Sequence, residues 1–120
     1  MRILFEDGVC EDVETEPDGD FHRLAATPLS SSTDARFGDV IELAAEGPIW
    51  RFVRVAEASP FVTLEFLLSR EVAESEAFGR VLDHVRDQGG IWERAFGGMV
   101  FVHVPPETAN DVKSRLAELG

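Results

Sequence analysis

The hydrophobic period of this chain differs between its two halves, and that difference restricts the folds open to it. In residues 39–57, "DVIELAA" and "IWRFVRVAE" alternate apolar and polar side chains, with "EGP" between them, which predicts a hairpin of half-buried strands. From Glu71 to about Gln88 the apolar positions Val72, Phe78, Val81, Leu82 and Val85 recur at helical spacing instead. A mixed α+β chain follows, with its strands gathered early and its helices late.

Upstream of the hairpin, Arg2 to Phe5 and "FHRLAATP" read as short strands, "VCEDVETE" as an exposed one, and "EDG" and "PDGD" as turns. Residues 1–57 therefore read as four or five short antiparallel strands, forming a small antiparallel sheet or a partial barrel. "LSSSTDARFGD" is the longest polar stretch and is expected to be a mobile loop.

Residues 58–120 open with the strand "FVTLEFLLS", and Ser69 is the expected N-cap of the helix that follows. Gly89 should end that helix. "IWERAF" and "MVFVHV" then flank Gly97-Gly98, the spacing of a two-residue type I′ hairpin that would set Phe96 opposite Met99, Arg94 opposite Phe101 and Trp92 opposite His103. A phosphate-binding glycine loop would follow a strand and open into a helix, whereas Gly89-Gly90 does the reverse. Pro105-Pro106 starts a last helix with Ala109, Val112, Leu116 and Leu119 as its apolar stripe. The order strand, helix, strand, strand, helix is that of a ferredoxin-like half without a fourth strand, whose place "IWRFVRVAE" is expected to take. The two halves are expected to share one compact unit.

With 23 acidic against 11 basic residues, the net charge is -12. Such a surface repels nucleic-acid backbones and anionic membranes and attracts a basic protein. The charge is concentrated early: Glu6, Asp7, Glu11, Asp12, Glu14, Glu16, Asp18 and Asp20 stand against Arg2 alone in the first twenty residues. No apolar run approaches the roughly 20 residues needed to span a bilayer. One cysteine, Cys10, cannot form an intrachain disulfide, and the opening "MRILFEDG" lacks a signal-peptide core, so a cytoplasmic protein is expected.

Catalytic signatures are sparse. His22, His84 and His103 do not share a metal-ligand spacing, and acids around Cys10 disfavour its thiolate. No catalytic residue, metal or cofactor is therefore assigned. His103, beside an aromatic layer, is the histidine best placed to titrate near neutral pH.

The succession "ETEP", "TPL", "FGDVIEL", "FVRV", "ASPFVTLEFLL", "GGIWE" and "VFVHVPP" resembles the bacterial proteins grouped as domain of unknown function 4265, over roughly residues 13 to 106. The resemblance rests on Gly38-Asp39-Val40, on Ala58 to Thr63, and on Gly90 to Glu93 with Val104-Pro105. It implies a fold and a bacterial source more than an activity.

Two functional expectations result. The first is a non-catalytic binding module for a basic protein, in its sharpest form an immunity or inhibitor protein, acting through Glu11, Asp12, Glu14, Glu16, Asp18 and Asp20. The second, from another class, is a small-molecule-binding or enzymatic domain with a pocket between the halves, lined by Arg54, Trp92, Arg94 and His103 and covered by the "SSSTDARFGD" loop.

Overall fold

A computed structural model describes residues 1–95 and 98–119. The chain divides into two compact units, Met1–Ser59 and Pro60–Gly120.

The first unit is a six-stranded sheet built from β1 (Arg2–Leu4), β2 (Cys10–Asp12), β3 (Thr15–Asp18), β4 (Phe21–Leu24), β5 (Val40–Glu46) and β6 (Ile49–Glu57), in the order β2-β1-β6-β5-β4-β3. Its two outermost strands, β2 and β3, are consecutive in sequence, and the ladder runs through the Val13-Glu14 step that separates them. The Val13 N–H donates to the Met1 carbonyl at 2.8 Å, the Met1 amino group donates to the Val13 carbonyl at 3.1 Å, and the Ala25 N–H donates to the Glu14 carbonyl at 2.9 Å. Residues 10–18 thus act as one bent strand, bonded to β1 by its first part and to β4 by its second. The sheet closes on itself as a barrel of five strands, which removes its open edges.

This closure explains a departure from the expected all-antiparallel sheet. An up-and-down path of five strands ends in the direction in which it began, so its last strand can close on its first only in parallel. β1 and β6 are indeed parallel, with Ile3 beside Trp50 and Leu4 beside Arg51. The β5–β6 hairpin turns through Gly47 and Pro48, with Gly47 at φ +61°, and register shifts at Val40/Ile41 and Glu42/Leu43 add the bend that a small barrel requires. Ile3, Phe5, Val13, Leu24, Ala35 and Ile41 fill the interior, with Leu43, Phe52 and Val55 packed against them. β6 lies between β1 and β5, so it is not the fourth strand expected beside the second sheet.

The second unit contains β7 (Val62–Leu67), α1 (Arg70–Ala73), α2 (Glu76–Asp87), β8 (Ile91–Ala95), β9 (Met99–Val104), a 3-10 turn (Pro106–Thr108) and α3 (Ala109–Ala117). Its antiparallel sheet has the order β7-β9-β8. Val100, Val102 and Val104 on β9 are fully buried against Phe78, Val81, Leu82 and Val85 of α2 and Val112 and Leu116 of α3. Each such burial stabilises the unit by roughly 1.5–3 kcal/mol.

Two details depart from the sequence pattern. The single helix expected from Glu71 to Gln88 breaks at Ser75. Its extended backbone and its hydroxyl, which accepts from the Phe78 N–H at 3.1 Å and donates to the Val72 carbonyl at 2.7 Å, start α2 afresh. The β8–β9 register is also one residue off the expected one: Ala95 pairs with Met99, Arg94 with Val100, Glu93 with Phe101, Trp92 with Val102 and Ile91 with His103. Three residues therefore separate the paired positions, and the predicted type I′ turn with its Phe96–Met99 pairing lies outside the described residues.

Candidate functional site

The acidic segment occupies the bent strand, and its alternation sorts the carboxylates into two groups. Val13 points into the barrel core, so Asp12, Glu14, Glu16 and Asp18 share the outward side. Asp12 pairs with Arg2 at 3.4 Å and Asp18 with Arg23 at 2.8 Å, at the two ends of this row. Between them Glu14 and Glu16 are exposed and have no cationic partner among the described residues, and Asp20 is exposed in the turn that follows.

Glu11 has the opposite orientation and a different task. Its Oε2 accepts from the Leu29 N–H at 2.6 Å, and its Oε1 accepts from Ser30 and Ser31 at 2.8 and 3.0 Å. Asp7 continues the pattern, accepting from the Ser32 N–H at 2.7 Å, from the Ser31 and Ser32 hydroxyls at 3.0 Å, and from the Val9 N–H at 3.1 Å. Four consecutive amides, 29 to 32, thus converge on two carboxylates. The Ser32 backbone hydrogen bond is the main cause that lowers the Asp7 pKa to about 2. The "LSSSTDARFGD" loop, expected to be mobile, is tied to Glu11 on β2 and to Asp7 in the turn before it. It is tied again by Asp39, which is 4% exposed and accepts from the Arg36 N–H at 3.0 Å and the Ser59 N–H at 2.7 Å. Gly38 precedes it at φ +86°, a conformation that favours glycine, so Gly38-Asp39 has a structural role here.

The residues proposed to line a pocket do not act as one set. Arg54, on β6 of the first unit, bonds Glu42 at 2.8 Å and lies 5.8 Å from the centre of the Phe21 ring. Trp92 and Arg94 share the helix-facing side of β8, opposite Val102 and Val100, while His103 points to the other side of β9. The register shift separates them.

His103 instead joins all three strands of its sheet. It is 0% exposed, with Nδ1 2.9 Å from Thr63 Oγ1 on β7 and Nε2 2.6 Å from Glu93 Oε2 on β8. An ionised Glu93 can only accept, so Nε2 then carries a proton, and in the neutral ring Nδ1 accepts from the Thr63 hydroxyl. Hydroxyl, imidazole and carboxylate have the composition of a nucleophile, base and orienting acid. With the imidazole wholly enclosed, the arrangement serves first as a cross-strand polar tie. Elsewhere, His84 pairs with Asp111 at 2.8 Å between α2 and α3, and His22 Nδ1 is buried without a hydrogen-bond partner among the described residues. Cys10 is a half-buried free thiol, and among the described residues no cluster of three or more His, Cys, Asp or Glu could hold a metal ion. Among the described residues no helix is long and apolar enough to cross a membrane.

No family model matches the chain, and no curated protein matches it. Among solved structures it is similar to one described as "Novel crystal structure of a hypothetical protein from Neisseria gonorrhoeae". The two share 15% sequence identity at a TM-score of 0.68, over 98% of this chain and 84% of that one. At that identity the likeness is one of fold.

Proposed function

We propose that the chain is a non-catalytic protein-binding module whose partner is basic, and that it works in the bacterial cytoplasm as an immunity or inhibitor protein. The observation that carries this reading is the outward row on the bent strand. Glu14 and Glu16 stand between two ion pairs, with Asp20 beyond them, on a barrel whose backbone is held by its own closure. Carboxylates on a rigid strand lose little backbone freedom on binding and attract a cationic surface over a Debye length. Glu11 is not part of this surface, because its carboxylate is engaged by three amides. An acidic row of this kind would occupy the phosphate-binding surface of a toxin or nuclease.

The β7-β9-β8 order supports reading the second unit as a ferredoxin-like half, and Gly38-Asp39 supports the resemblance to domain of unknown function 4265. The test is affinity capture from the source cell at low salt with the native chain and with a Glu14→Gln/Glu16→Gln/Asp20→Asn variant. A basic protein held in stoichiometric amount by the native chain and released by the variant supports the proposal. Equal retention by both, or no basic protein, refutes it.

A further inference from the structure

A second charged surface, of opposite sign, lies on the other unit. β8 ends its sheet, with β9 on one side and, among the described residues, no strand on the other. An outermost strand leaves backbone donors and acceptors free to pair, and natural sheets usually protect it with charge, proline or a cover. β8 carries Glu93 and Arg94, and beside them it exposes two large apolar side chains, Ile91 at 42% and Trp92 at 38%. Arg94 follows on the same side as Trp92. In a chain with 23 acidic residues, it has no carboxylate partner among the described residues. It lines a recess of about 240 Å³ together with Arg70, Ala73, Glu74 and Gly98.

We propose that β8 receives an extended segment of a partner protein as an added strand, and that this segment carries an acidic side chain for the Arg94 recess and an apolar one for Trp92, two residues apart. The spacing follows from the strand itself: Trp92 and Arg94 are i and i+2 on the helix-facing side, so cross-strand neighbours on that side also differ by two. Ladder hydrogen bonds supply affinity and the two side-chain contacts supply selectivity. The acid is argued from charge. An unpaired guanidinium beside an open strand attracts a carboxylate, and the -12 net charge of the chain disfavours a second copy. Pairing two β8 strands about a two-fold axis at Glu93 would also set Glu93 against Glu93 and give Arg94 no acid. This surface is independent of the carboxylate row on the first unit.

The experiment uses the full chain and a displayed library of random decapeptides. Enriched sequences are expected to place Asp or Glu two residues from an aromatic or branched apolar residue. A synthetic peptide chosen from them should bind at least tenfold more weakly to Arg94→Glu and to Trp92→Lys, each checked for native circular dichroism. It should bind undiminished to Glu14→Gln/Glu16→Gln. N-methylation of alternate peptide amides, which blocks ladder bonds on one edge, should weaken binding tenfold in one phase and little in the other. A library without enrichment, basic consensus peptides, or unchanged binding to Arg94→Glu would overturn the proposal. So would a dimer in sedimentation that Trp92→Lys dissolves, because the strand's occupant would then be a second copy.

Discussion

Three glycines in and just after α2 make a stability series whose members differ in sign as well as size. Gly79 lies inside the helix with nothing within 4 Å of an added Cβ, so Gly79→Ala exchanges a flexible residue for the best helix former and should stabilise by about 0.8–1 kcal/mol. Gly89, just past the C-cap, has φ +81° and open space, and Gly89→Ala should cost about 1–2 kcal/mol from backbone conformation alone. At Gly90 an added Cβ would lie 2.8 Å from the His103 carbonyl oxygen and 2.9 Å from Cγ1 of both Val85 and Val104. Val85 and Val104 are fully buried, and the oxygen belongs to a strand paired on both sides, so none of the three can retreat cheaply. Overpacking of this kind costs about 1–3 kcal/mol. Urea unfolding at 25 °C, followed by circular dichroism and tryptophan fluorescence, should separate Gly79→Ala from Gly90→Ala by about 2–4 kcal/mol at unchanged m value. Gly90→Ala at native stability, or a destabilised Gly79→Ala, would show that the α2–β8 junction is not packed as described.

Three further outcomes can be measured. Glu11→Ala removes three charge-assisted bonds and should cost about 1.5–3 kcal/mol, with faster hydrogen exchange at amides 29 to 31, while Glu14→Ala should stay within about 0.5 kcal/mol of the native protein. Because folding lowers the Asp7 pKa from 3.8 to about 2, its stabilising effect is complete above pH 3.8 and is lost as the pH falls through 2. Urea midpoints measured between pH 5 and pH 2 should therefore fall less steeply in Asp7→Asn than in the native chain. Thr63→Val breaks the bond to His103 Nδ1 and should cost about 1 kcal/mol, read by thermal unfolding, with a changed Nδ1 shift in nitrogen NMR.

The readable parts of this fold are those governed by local rules. The Ser69 cap, the α2 stripe of Phe78, Val81, Leu82 and Val85, and the burial of Val100, Val102 and Val104 beneath the helices follow from periodicity and capping. What escaped depended on hydrogen-bond partners and register that the hydrophobic pattern does not report, some of them only three residues away. Ser75 looks like any polar helix residue until its hydroxyl is seen bonded to Val72 and Phe78. A hairpin register shifted by one residue leaves the strand pattern intact and moves Trp92 from beside His103 to the opposite face of the sheet. A partial barrel is among the expectations for the first half, but its full closure rests on residues 10–18 acting as one bent strand, which the bonds of Val13 and Glu14 establish. Composition does not distinguish a carboxylate facing solvent, such as Glu14, from Glu11, which faces three consecutive amides. Val13 does carry that signal: it marks the inward side of the strand, and Glu11 shares its parity.

The two proposed surfaces can be told apart because they oppose each other in sign. Added salt weakens both by screening, so an ionic-strength series alone cannot separate a basic partner on Glu14 and Glu16 from an acidic strand on β8. Charge substitution can. Glu14→Lys makes the first unit less acidic, which should slow association of a basic partner and, if anything, speed that of an acidic peptide, whereas Arg94→Glu should do the reverse. A partner whose association rate shifts by similar amounts in opposite directions with the two substitutions would be responding to the net charge of the chain, which one makes less negative and the other more, rather than to either surface. Marked slowing of the basic partner by Glu14→Lys alone, and of the acidic peptide by Arg94→Glu alone, would place the carboxylate row and the β8 strand as separate sites.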